Sequence, residues 1–529
     1  MKPTIVKIGI VLFCATLVFE SCTKKFDEIN TNPATYSQTN FDPNYLLTTS
    51  QLTYTGSTDF SYETWRSNLI YASTMMQGLS TVVSYWAGDK YLLNEGYTAS
   101  YWQVAYPEQV KPIVDLVEFT RDKAQYKNTH QISRIMKAMI MQRITDIYGD
   151  VPYFSAGKGY YSGEFFPKYD KQQDIYSDLL KEVEEATNAL DVAAEKPAGD
   201  VYYNGNIEQW KKFGNSLLLR MAMRLTKVDP TTAQAYVTKV QGKTFASNAD
   251  NALVKHDATG SRTTINRNSQ VLLGDGGQEH FYVKWSKTFI DFLKATNDPR
   301  LEKVAVTKLY LSDASKVQNT AYSTDPAMQK GMPNGKDLSG IAGRTIGSDP
   351  TFTTFPDYSS PSPQMIKRDG PTFILTYAET ELLLADAAQR WGIVTSGSAA
   401  THYNNGVKAA MTYLSQYDAT IGVTEAAALA YVAANPYNAA NGLQMINTQY
   451  WAHTITMFDF YETWSNWRRT GFPSLTPVVY PNNATNGSIP RRFPYPTSEA
   501  STNPANYKTA HDAVAGGDVL NARVWWDKL

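Results

Sequence analysis

Asp170-Lys171-Gln172-Gln173-Asp174-Ile175 opens the stretch whose reading decides the fold. Asp170 reads as an N-cap with Gln173 at the third helical position. Ile175, Leu179, Val183, Ala186 and Leu190 then recur on one face at spacings of three and four. Asn206-Ile207-Glu208-Gln209 repeats the capping logic ahead of Trp210, Phe213, Leu217, Met221 and Leu225. Asp229-Pro230 sets a cap before a proline at the first helical position, and a short helix from Thr231 to Val240 follows. In Phe373 to Trp391, the residues Leu375, Ala378, Leu382, Ala385 and Ala388 share a face, and the alanines allow close helix packing. Helices are also expected over 60–86, 99–125, 130–148, 286–296, 372–391, 400–416 and 441–469. Consecutive helix pairs with short turns predict a mainly α, stacked, solenoid-like body, although no clean repeat period is visible.

Two stretches interrupt this pattern. Residues 243–285 and 311–370 are rich in Gly, Ser, Thr, Asn, Asp and Pro and read as long excursions with a few short strands. Long ordered loops in a compact protein are usually functional. The composition is globular, with 43% hydrophobic and 19% charged residues among 529. The net charge of −1 and the lack of a long basic run give no support to a nucleic-acid partner. Aromatics reach 13%, which favours flat, apolar contact surfaces as well as core.

The N-terminus carries a separate signal. Lys2 and Lys7 precede an uncharged, mostly apolar run, Ile8 to Phe19, too short to span a bilayer but suited to a signal h-region. Glu20-Ser21-Cys22 follows, and a cysteine there with small Ser21 before it resembles a bacterial lipoprotein cleavage site. Phe19 and Glu20 depart from the tightest form of that pattern. Residues 1–21 are therefore expected to be removed, leaving Cys22 as the acylated start of the mature chain. Each buried acyl methylene adds ~0.8 kcal/mol, and stable anchoring needs more than one chain. Residues 22–44 read as a polar arm around Asn30-Thr31-Asn32-Pro33, and 45–529 as one helical binding domain.

Several motifs then fall in a telling order. Cys22-Thr23-Lys24-Lys25-Phe26-Asp27-Glu28-Ile29-Asn30 comes first, followed by Asp146-Ile147-Tyr148-Gly149-Asp150-Val151-Pro152-Tyr153. Trp210-Lys211-Lys212-Phe213-Gly214-Asn215-Ser216-Leu217 leads to Arg220 and Arg224, and Tyr377-Ala378-Glu379 opens a helix reaching Asp386. Trp464 to Arg469 and Pro490-Arg491-Arg492-Phe493-Pro494-Tyr495-Pro496 close the series. In order and coverage the chain resembles the SusD/RagB-like nutrient-binding outer-membrane lipoproteins. That resemblance implies tetratricopeptide-like helix pairs with irregular loops carrying the ligand site, a SusD-like α/α superhelix. It further implies an outer-membrane, lipid-anchored protein facing the cell exterior, seated on a SusC-like TonB-dependent transporter. Its ligands would be oligosaccharides or, in some branches, peptides. Calcium occurs in some members, but no ligand set for it is assignable here, and no cofactor is expected.

A sugar ring offers an apolar C–H face to an aromatic ring and a rim of hydroxyls to polar groups. Hydroxyls left buried and unpaired would cost ~1–3 kcal/mol each. The stretch Tyr85 to Trp102 interleaves rings with Gly88, Asp89, Asn94 and Glu95. Tyr85, Trp86, Asp89, Tyr91 and Asn94 are the expected ligand contacts, with Trp102 read as core. Alanine at Trp86 and Tyr91 would on this reading weaken binding and leave stability alone. Phe355 and Tyr358 form a second candidate, beside Phe352 and Asp357 in a Pro/Ser-rich loop. The run Tyr450, Trp451, Phe458, Tyr461, Trp464 and Trp467 has helical spacing and reads as core.

Catalysis finds no signpost. The six His are scattered, and no HExxH pair, GxSxG elbow, phosphate-binding loop or cysteine cluster is present. A secreted glycoside hydrolase remains the rival from another class, needing two carboxylates ~5–9.5 Å apart that no motif marks. A helical scaffold binding only protein is the third reading.

Overall fold

The computed structural model describes residues 41–260, 264–275, 277–309 and 321–528. The signal run and Cys22 therefore lie outside the described residues. The chain divides into a unit Met1–Pro43, of which only residues 41–43 are described, and a body Asn44–Leu529. The body is mainly helical. Its principal helices are α1 (Asn44–Tyr54), α2 (Lys111–Thr120), α3 (Lys127–Tyr148), α4 (Gln172–Ala189), α5 (Ile207–Arg224), α6 (Pro230–Val240), α7 (Tyr377–Trp391), α8 (Ala399–Thr412), α9 (Gly442–Thr456) and α10 (Phe460–Thr470). Neighbours in sequence pack on one another: α2 on α3, α4 on both α3 and α5, α5 on α6, α7 on α8, and α9 on α10. This is the stacked-pair architecture the apolar spacing predicts.

Local chemistry explains several helix starts. Asn206 accepts from the Glu208 and Gln209 amides, and Asp229 from the Thr232 amide ahead of Pro230. Thr376 and Glu379 form a reciprocal capping box on α7. Asp170 does not cap α4, contrary to expectation. It pairs in a short strand with Val151, and its carboxylate accepts from the Tyr153 and Phe154 amides. Asp150 accepts from the Gln172 amide instead, at 2.9 Å.

Three other expectations need correcting. Residues 372–375 form a strand, paired with Ala252–Val254, before α7 begins. The 441–469 stretch is two helices, broken where Phe458 adopts a left-handed φ of 59° and Asp459 caps α10. Residues 60–86 hold a widened helix only over Thr64–Ser73, with hydrogen bonds five residues apart such as Asn68 N to Glu63 O. A further helix, Glu425–Ala434, is Ala-rich and carries little apolar periodicity. The 450–467 aromatic run is buried throughout, as its spacing predicts, and so is Trp102.

The motif residues meet in the interior. Arg220 pairs with Glu379 at 2.6 Å, and Arg224 pairs with Asp146 at 3.1 Å and also with Glu462. The Tyr450 hydroxyl bridges Glu462 at 2.7 Å and Glu379 at 3.1 Å, and Trp526 donates to Asp146 at 2.8 Å. Arg469 pairs with Asp386 at 3.1 Å, while Arg468 lies over Trp464 and Trp526. One charge network thus ties α3, α5, α7, α9 and α10 together.

A small polar cavity of about 40 Å³ sits beside Glu63, Asn68, Gln109 and Arg143. Glu63 accepts from the Ser57 amide at 2.8 Å through one oxygen, and its other oxygen is buried without a partner. Burial pushes its pKa from 4.5 up to about 7, against the lowering effect of those hydrogen bonds. Between those values the folded chain binds a proton that the unfolded chain has lost, so stability falls as pH rises from 4.5 to 7. The gap is worth ~3 kcal/mol. Glu63→Gln is expected to flatten this slope in denaturation midpoints taken across that window. An unchanged slope would exclude Glu63 as its source.

Candidate functional site

The Tyr85–Leu92 segment follows the strand Leu79–Ser80, which pairs with Lys284–Trp285. It turns tightly over Ala87–Lys90 and lies flush on the widened helix. A Cβ on Gly88 would stand 2.4 Å from the Ile70 carbonyl oxygen, so only glycine permits the approach. The segment then becomes a hub for distant chain. Asp89 accepts from Asn334 at 2.6 Å and from the Gly335 amide at 2.9 Å. Burial raises the Asp89 pKa, and neighbouring Lys90 and these hydrogen bonds act against that shift. The Tyr91 hydroxyl receives the Val478 amide and its carbonyl the Ala484 amide.

Glu279 holds the other side. Its Oε1 accepts from Tyr85 at 2.6 Å, Trp65 at 3.0 Å and Trp86 at 3.1 Å. Charge-assisted bonds of this kind fix ring orientation. Burial and then the Glu279 carboxylate raise the Tyr85 pKa far above the ordinary phenol range, so the ring stays a neutral donor.

These contacts correct the expected site. Trp86, Asp89, Tyr91 and Tyr358 have no exposed surface, and a ring without exposed surface cannot stack on a ligand. The polar atoms of Trp86, Asp89 and Tyr91 instead join the 82–92 segment to Glu279, to Asn334-Gly335 and to 478–484. Tyr358 is tucked beneath its loop with Val82, Met332 and Ile346, its hydroxyl 3.2 Å from Asp349. Phe355 is half-buried among Phe281, Tyr282 and Phe352. Asn94 caps the short helix Glu95–Thr98. Of the expected contacts, Tyr85 alone lines the cleft that opens here.

That cleft holds about 530 Å³ between Tyr85, Leu338 and Tyr480, with Lys90, Gln278, Asp337, Ser339 and Arg344 around it. Volumes of ~300–1,000 Å³ are typical of small-ligand sites. Arg344 pairs with Asp337 at 3.0 Å and lies over the Tyr480 ring at 4.8 Å. The Tyr480 hydroxyl donates to Asp337 at 2.9 Å. Burial would raise the Asp337 pKa, but the bonds from Ser339, Tyr480 and Arg344 outweigh it and hold it at about 2. The charges of the rim are thus internally neutralised. Gln278 and the 337–344 turn come from the two long excursions that the sequence marks as functional. Their individual residues carry no local signal, and Tyr480 lies in an irregular stretch with none either.

A larger cleft of about 800 Å³ lies near the C-terminus, among Asp150, Asn521, Arg523 and Trp525. It draws on neither excursion. Among the described residues, no group of three or more His, Cys, Asp or Glu gathers as for a metal ion. No helix among them is long and apolar enough to cross a membrane.

A family model described as SusD-like, starch-binding and associating with the outer membrane matches residues 37–496. The chain belongs to the SusD-like family. A solved chitin-binding protein is 32% identical, at a TM-score of 0.79, over 92% of this chain and 100% of its own. A Bacteroidetes AC2a SusD-like structure is 25% identical, also at 0.79, over 92% and 100%. A chitin-binding SusD homologue from Flavobacterium johnsoniae, 21% identical at 0.72 over 92% and 98%, shares the fold. No curated protein matches the chain. The SusD-like motifs quoted above prove largely structural, since Asp146, Arg220, Arg224, Glu379 and Arg469 are all buried in the charge network.

Proposed function

We propose that this SusD-like protein is a lipid-anchored surface protein that captures an oligosaccharide and passes it to a SusC-type TonB-dependent transporter, without chemistry of its own. The observation that carries the reading is the cleft of Tyr85 and Tyr480, two partly exposed rings beside Gln278, Asp337 and Arg344. Rings cover the apolar face of a sugar, and the amide, carboxylate and guanidinium pair its hydroxyls. Because Asp337 and Arg344 neutralise one another, an uncharged ligand enters without stranding a charge. The 32% identical relative, a chitin-binding protein, favours chitin fragments over peptides as the first ligand to try. The outer-membrane association of the family supports the location.

Calorimetry with chito-oligosaccharides and with oligopeptides tests this. Tyr85→Ala combined with Tyr480→Ala is expected to weaken oligosaccharide binding roughly tenfold to a hundredfold, with folding retained. Undiminished affinity would remove the cleft, and binding of peptides alone would replace the ligand class. New reducing ends released from the oligosaccharide would contradict a purely binding role.

A further inference from the structure

Five of the six strongly exposed aromatic rings among the described residues lie on one segment, residues 154–166. Tyr160 is 83% exposed, Phe165 73% and Phe166 62%, with Phe154 and Tyr161 beside them. Scattered exposed apolar residues are ordinary, but a contiguous patch marks an interaction surface. The segment's backbone is pinned at both ends, and one of its rings is tied to the body. The Phe154 amide donates to Asp170 and the Tyr161 hydroxyl to Asp115. Asn506 and Asn503 donate to the Phe166 and Pro167 carbonyls at 2.9 and 2.8 Å. Gly157 presses on Val110 and Val114, where a Cβ would stand 3.2 Å from the Val114 side chain.

We propose that this aromatic strap is a membrane-contact surface that rests in the headgroup layer of the outer membrane. Three observations favour a bilayer over a protein or a glycan. The rings are Phe and Tyr, and the charged residues among and beside them are Lys158, Glu164 and Lys168, a net positive set whose lysines are in no ion pair among the described residues. Amphipathic and aromatic rings with neighbouring lysines suit an anionic interface. Three of the five rings are Phe, which has no hydroxyl to meet a sugar rim. Finally, the strap packs on α2 through Asp115 and Val114, and so does α1, the helix on which the body begins at Asn44. The surface-lipoprotein reading places the lipid on the chain that leads into α1, and the strap proposal rests on that reading. The strap would add a second attachment to the acyl chains and orient the body on the membrane.

The test uses the mature chain from residue 22 carrying Cys22→Ser, so that no lipid is attached, with vesicles of equimolar phosphatidylethanolamine and phosphatidylglycerol. The parent is expected to sediment with the vesicles. Tyr160→Ser, Phe165→Ser and Phe166→Ser together should lower partitioning roughly tenfold or more, with melting temperature and oligosaccharide affinity unchanged. That chain has no native thiol, because Cys14 and Cys22 are the two cysteines. A polarity-sensitive dye on Phe166→Cys should therefore report the strap alone, with blue-shifted emission on vesicles. A parent that ignores vesicles, a triple variant that sediments like the parent, or unshifted emission overturns the proposal and leaves a protein as the cover. Loss of oligosaccharide binding in the triple variant overturns it in favour of a glycan platform. Failure of the cleft variants to lose ligand would touch only the function proposed above.

Discussion

Arg224→Met is expected to destabilise the protein by about 3–5 kcal/mol. Arg224 is buried between Asp146, at 3.1 Å, and Glu462, and its charge holds both carboxylates in the interior. Removing it leaves Glu462 with Tyr450 and a distant Arg220, 3.9 Å away, and Asp146 with Tyr176 and Trp526. Neutral hydrogen bonds cannot replace a desolvated countercharge, so both acids must take protons or drag water inside. The same network joins five helices, and the loss is expected as a lower denaturant midpoint rather than as local fraying. The double variant Arg224→Met with Glu462→Gln should recover part of the loss, because one stranded charge is then gone. An unaltered midpoint in the single variant would mean that the network contributes nothing net.

Trp86→Ala is expected to cost about 3–5 kcal/mol of stability and, through that, to weaken ligand binding. This reverses the expectation drawn from sequence, in which Trp86 stacks on ligand and its loss leaves stability alone. The ring is wholly buried in the main core, and its indole N–H is one of three donors to Glu279. Its removal leaves a cavity beneath the turn that carries Asp89 and Tyr91, which pin 334–335 and 478–484. Tyr85→Ala sits one residue away and should behave oppositely, with binding reduced and melting little changed. Chemical denaturation and calorimetry on the two variants separate scaffold from contact. A stable Trp86→Ala protein with lost binding would return Trp86 to the ligand site.

The contrast between these neighbours shows what was legible in advance. Helices such as α4, α5 and α6 are set by local facts: apolar spacing, Asn206 and Asp229 as caps, Pro230 at the first helical position. Where the boundary depends on a partner far away, local reading fails. Residues 372–375 carry the same apolar spacing as the helix after them, yet pair as a strand with 252–254. Phe458 sits mid-run in a helical pattern, yet its backbone turns left-handed there and its ring stacks on Trp285. The helix Glu425–Ala434 carries no periodic signal because alanine supplies propensity without a face.

By itself the sequence determined a mainly helical body, an aromatic-rich segment near Tyr85 between helices, and two long excursions from the helical pattern. It also determined the order of motifs that the family match bears out. Only the tertiary structure decided which rings face solvent. Asp89 meets Asn334 across 245 residues, Trp86 meets Glu279 across 193, and Tyr91 meets Val478 across 387. Burial is a property of what folds over a residue, and nothing within a helical turn of Trp86 distinguishes it from Tyr85. The hydrophobic period is local and repeats every few residues, whereas the closing of distant loops over a segment is a contact between remote parts of the chain.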